Sequence, residues 1–147
     1  MSHHMRRIYA GLIEGAHADR GLGHEFLRHI IRTRALVYVI DASSGIASAG
    51  SGAGPVADLR TLQRELQLYD PFLPSRPSIV VANKADLRGA AEGIAALRAA
   101  TTMPVVATSA MHRTGVGDAI NALRWLLEAS RAAEQVSLAD DKAAVRS

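Results

Sequence analysis

Two short polar runs hold the side chains best suited to chemistry. Asn83-Lys84-Ala85-Asp86 follows the apolar stretch Ser78 to Ala82, and Ser109-Ala110 follows Pro104 to Ala107 closely. A carboxylate such as Asp86 accepts from two neighbouring N–H donors at once. The ring N1–H and exocyclic amine of guanine offer that pair, and adenine does not. Asn83 can bridge the neighbouring loop and the base N7, while the backbone N–H of Ala110 can donate to O6. The aliphatic stem of Lys84 can lie over the flat base. Asn and Asp at such positions also cap and turn a strand-to-helix loop, so residue types alone leave both readings open.

Three apolar runs rich in β-branched residues must position these groups: Leu36 to Ile40, Ser78 to Ala82 and Pro104 to Ala107. Each is continuous rather than alternating, which predicts strands covered on both faces. Helical patterns alternate with them. Leu59, Leu62, Leu66 and Tyr69 form one apolar stripe over residues 58–69. Residues 90–100 are Ala-rich, with Ile94 and Leu97 three apart, and residues 117–133 carry Ile120, Leu123 and Leu127. Trp125, between the last two, is read as part of the core. The order strand–helix–strand–helix–strand–helix predicts an α/β domain with three parallel strands flanked by helices. In an open parallel sheet ligands bind beyond the carboxyl ends of the strands, so both polar runs face one crevice.

Residues 43–57 are small and aperiodic, and are read as a surface loop. No Gly-Lys-Ser/Thr follows their glycines, so this is not a phosphate loop. The tail over residues 134–147 is polar, loses the stripe, and is expected to fray or dock elsewhere.

The chain has 147 residues, enough for one compact domain. No apolar run approaches the roughly 20 residues of a membrane span, so no membrane partner is expected. The absence of cysteine excludes disulfides, cysteine zinc sites and thiol nucleophiles. A net charge of +3 permits an RNA partner without demanding one. Arg28, Arg32, Arg34, Arg60, Arg64 and Arg76 are candidates for phosphate contacts, with a solvated helix face as the alternative. His17, His24 and His29 lack the spacing and carboxylates of a metal set and read as surface or RNA-facing groups.

Two further stretches carry a family resemblance. One is Gly11-Leu12-Ile13-Glu14-Gly15-Ala16, then Gly21-Leu22-Gly23-His24 and Phe26-Leu27-Arg28-His29-Ile30. The other is Glu65-Leu66, Tyr69, Pro71, Leu73 and Arg76-Pro77, leading into Ile79 to Leu87. Over residues 9–128 the sequence resembles the Obg family of GTPases. The resemblance implies a partial P-loop GTPase (Rossmann-like) domain. Residues 1–34 would be a degenerate second-switch segment and helix, residues 35–133 the C-terminal half of the G domain, and residues 134–147 a tail. It implies that Asn83, Lys84 and Asp86 recognise guanine, with Ser109 and Ala110 closing over it. Gly11 would lie beside the γ-phosphate. GTP or GDP is the implied ligand, and assembly of the large ribosomal subunit the implied setting, with ribosome or rRNA as partner.

The sequence departs from that family at its phosphate machinery. It contains no G-x-x-x-x-G-K-[ST] and no first switch, and Ile8 stands where the family has a metal-organising Asp. Phosphoryl transfer is positioning and charge neutralisation. Hydrolysis and Mg²⁺ binding are therefore not expected of this chain alone. The Leu36 to Ile40 strand is expected to pair with another polypeptide, since a bare apolar edge is a liability. The alternative is a non-enzymatic pseudo-GTPase serving as an interaction module in a ribosome or other ribonucleoprotein. Composition is compatible with mitochondrial, chloroplast or cytoplasmic ribosome association, leaning to an organelle.

Overall fold

The computed structural model describes residues 33–44 and 54–144. The first strand, β1 (Leu36–Asp41), leads through a tight turn and the segment before Gly54 into helix α1 (Pro55–Tyr69). Pro55 opens α1, where its missing N–H costs nothing. A short 3₁₀ turn, Leu73–Ser75, precedes β2 (Ser78–Asn83). Then follow α2 (Ala90–Ala100), β3 (Val105–Ala107) and α3 (Val116–Ala144). The sheet has the order β1-β2-β3 and is parallel throughout. The α/β class, the three strands and the flanking helices are those expected from the sequence.

The register fixes which side chains share a face. Leu36, Tyr38 and Ile40 of β1 stand opposite Ser78, Val80 and Ala82 of β2. All of these but Ser78 make one buried core with Leu59 and Leu66 of α1 and Ala90 and Leu97 of α2. The α1 stripe behaves as its spacing requires, with Leu59 and Leu66 buried and Leu62 and Tyr69 packed against them. Leu73 is fully buried and anchors the 3₁₀ turn to that core. Helix α3 packs against β2 and β3, with at most slight contact to β1.

That asymmetry corrects the reading of β1 as covered on both faces. Its burial alternates, leaving Val37 42% and Val39 61% exposed. A continuous apolar run marks a doubly covered strand only where both layers reach it, and on this side α3 stops short. Among the described residues β1 is also an edge, paired with β2 alone.

Two more expectations change. Trp125 is 65% exposed rather than core. It is two residues from both Leu123 and Leu127, a spacing that does not share a helix face. The loop expected over residues 43–57 is shorter, because residues 55–57 are helical and Ser43 and Ser44 are held in the turn after β1. Helix α3 also runs on into the polar tail as far as Ala144, where Ala-rich sequence sustains helix without a continuous stripe. None of the helices described is long and apolar enough to cross a membrane.

Candidate functional site

Parallel strands end at one edge of the sheet, so the residues just past them share a rim. Backbone bonds lock that rim together. The N–H of Ala42 donates to the carbonyl of Asn83 at 2.9 Å, and those of Ala85 and Thr108 donate to Thr108 and Ala82, both at 2.9 Å. Every strand end is tied to its neighbour before any side chain acts.

Asn83 ends β2 and pairs in register with Asp41 at the end of β1. Its Oδ1 accepts the backbone N–H of Ala110 at 3.0 Å and the Thr108 hydroxyl at 3.2 Å. The side chain thus ties the loop after β3 to the loop after β2. Lys84 follows in the left-handed region, at φ 61°, which side chains other than glycine adopt infrequently. Its Nζ lies 2.6 Å from Asp41 Oδ2. The other oxygen of Asp41 accepts the Ser43 N–H at 2.9 Å and the Ser43 hydroxyl at 2.6 Å. Burial alone would raise the Asp41 pKa, but Lys84 and the two Ser43 donors outweigh it and hold the carboxyl below its ordinary value.

Asp86 stands across the same rim. The Ser109 hydroxyl donates to its carboxylate and holds its pKa down, partly opposed by desolvation and assisted by its own backbone N–H and by His112. His112 Nε2 lies 3.7 Å from Asp86 Oδ2. The loop carrying these groups is shaped by an antiparallel bridge between Ser109 and Thr114, with N–H to carbonyl bonds of 3.1 Å both ways. Gly115 ends it at φ +70°, where an added Cβ would fall 2.1 Å from the Ala107 carbonyl oxygen.

Asn83, Lys84, Asp86, Ser109 and Ala110 therefore stand together, on two loops joined by side-chain bonds. Two details differ from the sequence reading. Ser109 is 1% exposed and addresses Asp86 and the His112 N–H, 3.2 Å from its Oγ, rather than closing over the open rim. The Ala110 N–H is not idle, since Asn83 already holds it. Gly11 lies outside the described residues, as does most of the segment over residues 1–34. Arg76 donates through one guanidinium nitrogen to the Thr33 carbonyl and hydroxyl at the entry to β1. Asp41, Thr108 and His112 were not singled out from sequence. A carboxylate ending a strand beside Asn83 is the one signal that could have marked Asp41.

A three-stranded parallel sheet between helices, with N-K-x-D leaving its middle strand, is the arrangement of a partial P-loop GTPase domain. No family model matches the chain. It is similar to GTPase Obg of Akkermansia muciniphila, 47% identical over 120 residues, covering 80% of this chain and 31% of that protein. It is similar also to GTPase Obg of Desulforudis audaxviator, 55% identical over 80 residues, 54% of this chain and 18% of that one. GTPase Obg of Syntrophomonas wolfei is 42% identical over 120 residues, 82% of this chain and 27% of the relative. The chain belongs to the Obg family of GTPases, matching the C-terminal part of the G domain. It spans less than a third of the length of these relatives.

Proposed function

We propose that this chain carries the base-recognising part of a guanine-nucleotide site. The bond from Ala110 N–H to Asn83 Oδ1 carries the reading, because it brings an amide, a main-chain donor and the Asp86 carboxylate onto one rim. Asp86 receives the N1–H and exocyclic amine of guanine, and Asn83 Nδ2 turns to N7. The O6 atom shares the Ala110 N–H with Asn83. The Ser109 hydroxyl favours the charged form of Asp86, holding its pKa below the ordinary value. Adenine would set an amine against the Ala110 N–H, donor against donor, and offer Asp86 no pair.

GTP or GDP is the ligand that the family membership supports, and large-subunit assembly the setting that the resemblance implies. The family's Mg²⁺ does not fit the described rim. Asp41, which ends β1, is saturated by Lys84 and Ser43, and Asp86 is assigned to the base. Phosphate binding falls to a second polypeptide segment, paired with the edge of β1 that is free among the described residues. Among the described residues β1 pairs with β2 alone, which supports this, and Val37 and Val39 on its uncovered face call for a further covering element. The same two valines favour a second reading, an interaction module in a ribonucleoprotein that keeps the fold without catalysis.

Titration of the chain with GDP and with ADP, followed by amide chemical shifts, separates the readings. GDP is expected to shift Asn83, Asp86 and Ala110 while ADP does not. Equal responses, or none, would overturn base recognition and leave the interaction module.

A further inference from the structure

Lys84 has to be placed before its stem can support a base, and a flexible four-carbon chain loses much rotamer freedom when it is placed. We infer that Asp41 is the positioning residue for Lys84, an inference that rests on the base-site reading above.

Three observations converge. The left-handed backbone at Lys84 and the bond from Ala42 N–H to the Asn83 carbonyl hold the Lys84 backbone beside the end of β1. The Asp41 carboxylate is itself immobilised by both Ser43 donors, at 2.9 and 2.6 Å. The ammonium then closes on the remaining oxygen at 2.6 Å. Both ends of the lysine are thereby fixed, one by the sheet and one by the carboxylate. The methylenes between them form a fixed wall beside the rim that carries Asn83 and Asp86. A wall set in advance spares the bound state the cost of ordering the side chain.

A surface ion pair with no such task would contribute to folding alone, by a small amount. The two roles separate in a double-mutant cycle on the full chain, with GDP as the probe: Asp41→Asn, Lys84→Met and the pair together. Asp41→Asn is expected to weaken GDP binding about fivefold, as losing an ion pair of this kind would. In the Lys84→Met background it is expected to cost nothing more, and Asp41→Glu is expected to recover part of the loss. Equal costs in both backgrounds would overturn the inference, as would no cost in either. Asp86→Asn is run alongside. If wild-type chain ignores GDP, or binds it no better than Asp86→Asn, the base-site reading fails and takes the positioning role with it. If Asp86→Asn weakens binding while the cycle is additive, Asp41 alone is misassigned.

Discussion

Asn83 Oδ1 holds the backbone N–H of Ala110 at 3.0 Å, so a side chain at the end of β2 sets the position of the loop that follows β3. The same oxygen takes the Thr108 hydroxyl at 3.2 Å. One amide thus does for the rim what the backbone ladder does for the strands. Asn83→Ala leaves the Ala110 donor and the Thr108 hydroxyl without their acceptor. Stability is expected to fall by about 1–2 kcal/mol, the usual cost of stranding partly buried polar groups. Urea denaturation measures it, and hydrogen exchange should quicken at Ala110 before it does in β2.

Asp86 makes the sharpest chemical prediction. Its carboxylate matches two donors on guanine, whereas the Asn of Asp86→Asn would turn an N–H₂ towards one of them. GDP affinity is expected to fall at least about tenfold, on the scale of a charge-assisted hydrogen bond. A base with a carbonyl in place of that amine, as in xanthine, should gain. Competition between GDP and xanthosine diphosphate reads both directions. Parallel losses for the two would show that Asp86 does not address the base edge.

The sheet and the N-K-x-D rim were legible in the sequence because local signals coincide there. Three β-branched runs each end in polar residues, and the stripe Leu59, Leu62, Leu66, Tyr69 admits one helical face. What escaped depends on neighbours. The exposure of Val37 and Val39 is set by how far α3 reaches, which no pattern within LVYVI encodes. Trp125 was misplaced because its neighbours are apolar, although its own angle on the helix faces away from theirs. The Asp41–Lys84 pair joins residues 43 positions apart in the chain. Only the parallel register, which sets Asp41 against Asn83, brings the two together.

Gly93 tests how tightly α2 meets the turn after β1. An added Cβ there would stand 2.0 Å from the Ala42 carbonyl oxygen and 3.0 Å from Pro55 Cγ. Neither a backbone carbonyl nor a proline ring yields readily, so Gly93→Ala forces α2 off the sheet. The expected loss is about 1–3 kcal/mol, in the range of overpacked cores, despite alanine's better helix propensity. Thermal melts should show it. A stabilised Gly93→Ala chain would mean that α2 does not sit this close.

Tyr38 offers the opposite sign. It is 4% exposed, and its hydroxyl finds no partner among the described residues. Burial pushes its pKa above the ordinary tyrosine value. An unpartnered buried hydroxyl opposes folding, so Tyr38→Phe is expected to raise stability by about 1 kcal/mol. It should also remove a loss of stability at pH above about 10, where the phenol ionises more readily in the unfolded chain than in the buried site. Denaturation at pH 7 and at pH 10.5 checks both. A destabilised Tyr38→Phe chain would point to a partner held by that hydroxyl.

Acid should act through the two rim carboxylates. Asp41 is raised by burial but lowered further by Lys84 and Ser43, and Asp86 is lowered chiefly by the Ser109 hydroxyl. Each therefore has a folded pKa beneath its unfolded value near 3.9. Below about pH 5 the unfolded chain takes up protons that the folded rim still refuses, so acidification favours unfolding. The stabilisation is complete at neutral pH and disappears as pH falls through the folded values. Urea midpoints between pH 7 and pH 3 are expected to decline, and Asp41→Asn should flatten part of that slope while lowering the midpoint at pH 7. The remainder belongs to Asp86 and other carboxylates, so the informative quantity is the difference between the two curves. If the wild-type and Asp41→Asn curves run parallel across this window, Asp41 is not held by Lys84 in solution.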